Sequence, residues 1–359
     1  MNCDSMSSAE RMRALALKSE LDRVPVIPCA STYTAVISGI SAKEYYLEPE
    51  KALQAQLWAM DLHQYDGGPS YNIPNWAGWD FGGELQFPEL PKAAMPVLSR
   101  RAVQRETDVE KLVLPDIDKA PSASRIIKFA RLVRGKGYPV TIYNGSPVGI
   151  AGSILETDLL MRWFIKKPEL IHLVLRIATD YLMAIADRMI NEFGAENCSA
   201  FSTFPFECHG MVSPQVFKEF SLPYVKEIHT MLLARGIKRW LIHLCGDHTR
   251  NLACWKEEIP LAPRTVFSIG HEMDLVETAK FFGPKHIIAG NVPTELLNRG
   301  TPDEVLAICR KQIQAMKHMP GGYILAPACA LPPLTPPANV HAMVKAVRLY
   351  GRFGQTEEE

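Results

Sequence analysis

Short apolar segments alternate along the chain with longer amphipathic ones, and this order restricts the fold more than any other feature of the sequence. Segments rich in Val and Ile predict eight strands, at 24–29, 62–68, 138–145, 198–205, 239–246, 265–271, 286–293 and 323–329. Helical patterns lie between most of them and include 158–167, 168–194, 213–236 and 301–316. Eight strands with intervening helices favour an α/β protein of the (β/α)8 or TIM barrel type.

The regular alternation of short apolar and longer helical segments predicts a single domain over residues 1–359, with a helical extension at about 6–20. A doubly wound open sheet is the alternative, but it would carry a glycine-rich phosphate loop after an early strand, and Gly145 and Gly149 do not fit that pattern. The irregular stretch 66–100 is long, aromatic and rich in proline. We interpret it as an elaborated loop over the barrel mouth.

Charge and apolar content exclude several classes of function. Lys plus Arg and Asp plus Glu both number 39, so the formal net charge is zero, and no basic block predicts binding to nucleic acid or to a membrane surface. The sequence has no run of about 18 apolar residues and no N-terminal signal-peptide pattern. We therefore predict a cytoplasmic protein, in which the eight cysteines are reduced and available for metals or for packing.

Three residues at two predicted strand ends suit a metal. His243 and Cys245 are two positions apart and therefore point to the same face of a strand. Cys329 ends the last predicted strand, and the carboxyl ends of barrel strands meet at the catalytic mouth. One nitrogen and two sulfurs suit zinc, and three protein ligands leave a fourth position open, as in catalytic sites. Free cysteines are also common packing residues, so the spacing alone leaves both interpretations open.

Further polar side chains follow the predicted strands: Asp66, Asn144, Glu207, His209, His271 and Asn291. Glu207 is a candidate fourth zinc ligand or proton-handling group, or else a carboxylate that stabilises the start of the next helix. Asp66 is a candidate to hydrogen-bond a ligand histidine or the substrate, although Asp-Gly-Gly is also ordinary turn chemistry. Asn144, His209, His271 and Asn291 are candidate substrate contacts.

The segment LIHLCGDHTRNL, followed 84 residues after Cys245 by Cys329 in LAPACALPPLTPPANVHAMVKA, resembles the zinc signature of the corrinoid-dependent methyltransferases of the uroporphyrinogen decarboxylase superfamily. The resemblance covers about residues 22–352. It implies a barrel of the uroporphyrinogen decarboxylase type, with Zn²⁺ on His243, Cys245 and Cys329. It also implies an enzyme that exchanges a methyl group with the cobalt of a corrinoid (cobalamin) carried by a partner protein.

The resemblance leaves the second substrate open. A porphyrinogen decarboxylase needs arginines for its anionic substrate, and this chain has no arginine between Arg23 and Arg100. Zinc could hold a thiol acceptor such as coenzyme M, or it could polarise the oxygen of a methoxylated aromatic compound. The aromatic residues Tyr71, Trp76 and Trp79 of the mouth loop favour the aromatic substrate, and hence a demethylating component of the O-demethylase type. Packing of these residues within the loop, and a non-enzymatic zinc-binding barrel, are the alternatives.

Two departures from the family pattern bear on that choice. Ala330 follows Cys329, where the family often has Gly or Asp; we expect this to change local packing rather than ligation. In FPFECHGMVSP, at 204–214, Glu207, Cys208 and His209 replace smaller residues of the coenzyme M enzymes. This second departure argues against coenzyme M as the substrate.

Overall fold

Six of the eight predicted strands pair side by side in one parallel sheet. The structure, a computed structural model, describes residues 4–88 and 95–354. Its strands are β1 (Glu84–Gln86), β2 (Val97–Arg100), β3 (Val140–Tyr143), β4 (Cys198–Thr203), β5 (Trp240–Leu244), β6 (Val266–Ile269), β7 (Ile287–Val292) and β8 (Tyr323–Pro327). The parallel sheet follows chain order from β3 to β8, while β1 and β2 form a separate antiparallel pair. The sheet is largely buried, as expected when helices cover a parallel sheet.

The first two predicted strands are extended segments rather than regular strands. Val26 makes a single parallel bridge to Leu325 of β8, which carries the sheet one segment further. Asp66 N donates to Val26 O at 2.8 Å, so the chain around Asp66 lies beside that segment. Pro25 and Pro28 lack the amide hydrogens that a continuous ladder requires. The predicted strand at 62–68 is also too long, since its first two residues are the last two of a helix, Pro49–His63.

Helices occupy the connections between strands. They are α1 (Ser8–Leu17), α2 (Thr32–Ile37), α3 (Ala42–Leu47), α4 (Pro49–His63), α5 (Trp76–Asp80), α6 (Pro121–Gly135), α7 (Pro147–Ile154), α8 (Thr157–Lys166), α9 (Pro168–Phe193), α10 (Pro214–Val216), α11 (Leu222–Ala234), α12 (Leu252–Glu257), α13 (Leu275–Phe282), α14 (Thr294–Arg299), α15 (Pro302–Met316) and α16 (Pro337–Tyr350). A π-helical turn, Phe217–Ser221, joins α10 to α11. In the described ranges, no helix is long and apolar enough to cross a membrane.

Helix boundaries follow the capping residues in the sequence. The Ser213 hydroxyl accepts from Val216 N, and Thr301 accepts from Glu304 N, each with proline at the first helical position. Gly194, with φ of 80°, ends α9 in a conformation that favours glycine. These predicted boundaries are confirmed.

Helix α1 closes the amino-terminal end of the barrel. Leu15 packs with Ile287, the first residue of β7, and with Ile324, the second residue of β8. The opposite end of the sheet, where the strands finish, is therefore the open mouth. The predicted mouth loop at 66–100 contains α5 and the β1–β2 pair, and its part at 89–94 lies outside the described residues.

Candidate metal centre

Three side chains from two strand ends come together at the barrel mouth. One ligand atom from each of His243, Cys245 and Cys329 lies within 4.8 Å of the other two. The two sulfurs are 4.0 Å apart. His243 is the last residue but one of β5, Cys245 follows that strand, and Cys329 follows β8 by two residues. The sequence placed the three residues at strand ends, and the curvature of the sheet brings those ends together.

The spacing of the donor atoms fits a tetrahedral zinc ion. With Zn–S bonds of about 2.3 Å, two tetrahedral sulfur ligands lie roughly 3.8 Å apart, close to the observed separation. His243 Nε2 is buried without a hydrogen-bond partner, whereas its Nδ1 lies 3.1 Å from Ser268 Oγ on β6. A metal-binding histidine typically uses one ring nitrogen for the metal and donates a hydrogen bond from the other. The free Nε2 is therefore the atom available to a metal.

A hydrogen bond between the two thiols shifts their pKa values in opposite directions. The hydrogen bond from Cys245, followed by the nearby His243 ring, lowers the pKa of Cys329 to about 4, although burial opposes this shift. The same interaction with Cys329, followed by burial, raises the pKa of Cys245. One sulfur is thus predisposed to be a thiolate and the other to keep its proton. A divalent cation in the place of that proton favours two thiolates.

A glycine turns the chain immediately after the second ligand. Gly246 has φ of 87°, and a Cβ at this position would lie 3.0 Å from Cys208 Cβ. A larger residue would be strained in this left-handed conformation and would also press on the loop after β4. The Cys-Gly pair in the sequence is therefore part of how Cys245 is held at the mouth.

Hydrogen bonds join the loops that follow β4 and β5. His248 Nε2 lies 3.0 Å from Phe204 O and 3.3 Å from Cys245 O. His209 N donates to Asp247 O, and His209 Nε2 accepts from Arg250 N at 3.0 Å. His209 therefore connects two loops, and this ring nitrogen is already occupied rather than free for substrate.

Glu207 lies in the β4 loop but outside the ligand cluster. Its side chain is 1% exposed, Oε1 accepts from Ser221 Oγ at 3.2 Å, and Oε2 has no partner. Burial raises the pKa of Glu207 to about 7, opposed by the hydroxyls of Ser146 and Ser221. In the described part of the chain, the group of candidate ligand atoms does not include this carboxylate. The geometry gives no support to Glu207 as a fourth ligand, but it leaves a buried, unpaired carboxyl oxygen near the mouth.

The prediction of a chemical role for Asp66 is contradicted by its position. Its two oxygens accept from Arg11 Nη1 at 2.5 Å and from Arg23 Nη1 at 2.7 Å, and Oδ2 also accepts from Val26 N. Arg11 belongs to α1, and Arg23 directly precedes the first extended segment. Asp66 therefore ties the amino-terminal helix to the base of the barrel, at the end opposite the mouth. The prediction rested on the position of Asp66 at the end of a predicted strand, whereas its carboxylate belongs to a buried ion pair.

The aromatic residues of the mouth loop pack into the protein. Tyr71 is 1% exposed, stacks on Phe129 at 4.8 Å and donates its hydroxyl to Tyr46 O. Trp76 is also buried and contacts Tyr181. The structure thus corrects the prediction that Tyr71 and Trp76 form a wall for an aromatic substrate.

Trp79 is half-buried and is also covered by its own surroundings. Phe87 contacts the edge of its ring, and the Arg125 guanidinium lies 5.2 Å from the ring centre. Trp79 therefore has partners within the protein at its indole ring. The packing interpretation of the loop accounts for all three aromatic residues.

The remaining three predicted substrate contacts differ in whether their polar atoms already have partners within the protein. Asn291 donates to Gly270 O and Met273 O and accepts from Gln312, so its amide is fully used within the fold, and the prediction of a substrate contact is wrong. His271 is half exposed at the end of β6, 3.7 Å from the Glu272 carboxylate. Asn144, at the end of β3, is completely buried, and neither of its side-chain polar atoms has a partner.

A family model for uroporphyrinogen decarboxylase matches residues 7–350. The chain belongs to the uroporphyrinogen decarboxylase family.

Within the uroporphyrinogen decarboxylase family, the chain is similar to methyltransferases over nearly its whole length. It is 25% identical over 352 residues to the methylcobamide:CoM methyltransferase MtaA of Methanosarcina barkeri, covering 94% of this chain and 96% of the relative. It is 24% identical over 353 residues to the methylcobamide:CoM methyltransferase MtbA of Methanosarcina mazei, covering 95% and 97%. Similarity to the uroporphyrinogen decarboxylase of Aromatoleum aromaticum is 23% over 259 residues, 70% of each chain. The predicted resemblance to the methyltransferase branch of the family is confirmed.

The fold has a solved counterpart. A methyltransferase from Methanosarcina mazei superposes with a TM-score of 0.79 and 20% identity, covering 96% of this chain and 99% of that one. The predicted barrel of the uroporphyrinogen decarboxylase family is therefore confirmed at the level of the fold.

Sequence reasoning missed the serines that contact His243 and Glu207. Ser268 faces His243 because β5 and β6 pair these two positions directly. Ser146 and Ser221 act on Glu207 from α7 and from the π-helical turn. Serines carry little signal in a sequence, and the strand register that brings Ser268 to His243 is a tertiary property. A serine aligned with a candidate ligand on a neighbouring strand is the one signal that could have been followed.

Proposed function

We propose that this chain is a zinc-dependent methyltransferase that transfers a methyl group between the corrinoid of a partner protein and a thiol held at the barrel mouth. The observation that carries the proposal is the cluster of His243, Cys245 and Cys329, with two sulfurs, one free ring nitrogen and no fourth protein ligand among the described residues. The full-length similarity to methylcobamide:CoM methyltransferases supports the same chemistry.

The ligand set suits activation of a thiol. Zinc at these residues would supply an open position at which a thiol ionises near neutral pH. His243 would bind through Nε2 and donate from Nδ1 to Ser268, which fixes the ring. The thiolates of Cys245 and Cys329 would neutralise the charge of the ion, so the sulfur of the substrate would keep much of its nucleophilic character.

The reaction conserves atoms and charge when the methyl group moves to sulfur. A carbon–sulfur bond forms, the carbon–cobalt bond of the corrinoid substrate breaks, and the bonding electrons stay with cobalt. The thiol proton is released to solvent before the methyl group moves. Residues of the joined β4 and β5 loops hold the mouth in place during this exchange, because His248 and His209 fix the two loops to each other.

A thiol explains the site better than a methoxylated aromatic compound does. The aromatic substrate was predicted from the mouth loop, and Tyr71, Trp76 and Trp79 are occupied by packing. O-demethylation therefore stays a prediction, and no contact among the described residues supports it. Decarboxylation of a porphyrinogen is not supported either, since both buried arginines, Arg11 and Arg23, lie at the base of the barrel and bind Asp66.

The test combines metal content with methyl transfer. We expect one zinc per purified chain, and cobalt absorption changes when methylcob(III)alamin and 2-mercaptoethanol are added together. Cys329→Ser should lose most of its zinc and its activity. Cys254→Ser is the matched control, because Cys254 is buried in α12 and lies outside the ligand cluster.

Two results would contradict the proposal. Full zinc in both Cys245→Ser and Cys329→Ser would exclude the site. A zinc-loaded wild-type protein that methylates no thiol, either from the free cofactor or from a corrinoid protein, would exclude the activity while leaving the metal site intact.

A further inference from the structure

The described loops at the barrel mouth carry an excess of negative charge. They comprise 28–31, 67–88, 95–100, 144–146, 204–213, 245–251, 270–274 and 328–336. Within these ranges two arginines, Arg100 and Arg250, stand against six carboxylates, so the formal charge is −4; the carboxylates are Asp80, Glu84, Glu207, Asp247, Glu272 and Asp274. Arg100 forms an ion pair with Glu84, away from the strand ends. Glu272 is close enough to Cys245 to act on its thiol electrostatically. A site with this charge disfavours an anionic substrate.

Two buried side chains offer unpaired polar atoms at the same side of the mouth. Asn144 is 0% exposed, and neither its Oδ1 nor its Nδ2 has a hydrogen-bond partner. Glu207 Oε2 is likewise buried and unpaired. Ser146 lies two residues after Asn144 and interacts with the Glu207 carboxyl, so the loops that carry Asn144 and Glu207 lie beside each other.

Such atoms are costly to bury without a partner. An unsatisfied buried polar group typically destabilises a protein, and most buried polar atoms in native structures are paired. Unpaired atoms on two neighbouring strand ends therefore point to a ligand group that completes at least the two oxygens among them. Two of these atoms, Asn144 Oδ1 and Glu207 Oε2, are oxygens that accept hydrogen bonds when Glu207 is ionised.

We infer that Asn144 and Glu207 bind the far end of the thiol substrate, and that this end is an N–H donor such as an ammonium group rather than a sulfonate or carboxylate. The inference rests on the proposed function, because the zinc cluster holds the sulfur end. An ammonium group donates to both oxygens, and its positive charge also reduces the electrostatic repulsion among the carboxylates of the mouth. An anionic end would meet Glu207 without any described Lys or Arg among the buried residues of the mouth.

The test compares three thiols of equal carbon length on protein loaded with Co²⁺ in place of zinc. They are 2-aminoethanethiol, 2-mercaptoethanol and 2-mercaptoethanesulfonate, and the sulfur-to-cobalt absorption band reports binding of each. At pH 7 we expect 2-aminoethanethiol to bind at least tenfold more tightly than 2-mercaptoethanesulfonate. Since the thiols differ in their own acidity, the decisive quantity is how this ratio changes in variants.

Glu207→Gln should reduce the ratio at least fivefold, and Asn144→Ala should weaken binding of 2-aminoethanethiol more than that of the sulfonate. Glu219→Gln is the matched control, because it removes the same charge from an exposed position of the π-helical turn. Asn144→Ala keeps the test decisive if the Glu207 variant does not fold.

The possible failures are separable. A ratio that is the same in wild type, Glu207→Gln and Asn144→Ala would overturn the inference and leave the proposed function standing. Tighter binding of the sulfonate than of the aminothiol would overturn it as well. If none of the three thiols changes the cobalt spectrum, the proposed function is contradicted, and the inference fails with it.

Discussion

Replacing Ser268 by alanine should weaken zinc binding without removing a ligand. His243 Nδ1 and Ser268 Oγ are 3.1 Å apart, and both side chains are nearly buried, at 8% and 6% exposure. The hydroxyl therefore fixes the ring orientation that leaves Nε2 free for the metal. Loss of such a supporting hydrogen bond typically costs 10- to 100-fold in metal affinity, or roughly 1.4–2.7 kcal/mol. Because the removed bond is neutral and single, we expect a value near the lower end, about tenfold.

The affinity is measured by competition with a chromophoric chelator at fixed pH. Ser199→Ala serves as the control. Ser199 lies near the start of β4, far from the mouth, and its hydroxyl donates to Val140 O at the start of β3. Zinc affinity in this control should equal that of wild type. A zinc dissociation constant for Ser268→Ala within twofold of wild type, in a folded protein, would refute the argument that this hydrogen bond orients the ligand.

Two further substitutions test residues whose roles the structure reassigned or sharpened. Asp66→Asn removes one carboxylate from two buried arginines, of which Arg11 keeps Asp22 and Arg23 keeps Asp4. The free energy of unfolding in denaturant should therefore fall by about 1–3 kcal/mol, whereas methyl transfer per folded, zinc-loaded chain should be unchanged. A stable but inactive variant would return Asp66 to the chemistry, and the exposed Asp158→Asn is the control. Glu207 has a pKa raised from 4.5 to about 7 in the folded state. Its protonated form therefore favours the native state below pH 4.5, and that stability is lost as the pH rises through about 7, by on the order of 3 kcal/mol in total. Unfolding measured at pH 5 and pH 8 should show a smaller pH dependence in Glu207→Gln than in wild type, and equal dependence in both would contradict the raised pKa.

The sequence by itself determined the class of fold and the identity of the candidate ligands. The spacing of apolar segments is a local property, and it predicted the six strands β3 to β8 and the ends of α9 and α15. His243 and Cys245 share a strand, so their common direction follows from backbone geometry alone. The position of Cys329 at another strand end followed from the rule that barrel strands finish at one mouth.

Only the tertiary structure decided which polar residues remain free for chemistry. Asp66, Asn291 and Tyr71 looked like mouth residues, but each is satisfied by partners distant in sequence: Arg11 and Arg23, Gln312, and Tyr46. Asn144 and Glu207 had no stronger signal, yet each keeps a buried polar atom without a partner, as does His209 at Nδ1. Hydrogen-bond partners of a buried group come from elements far apart in the chain, and a pattern read along one segment contains no information about them. The sequence thus named the atoms that could bind zinc, and the packing of the barrel decided which of their neighbours are free to meet a substrate.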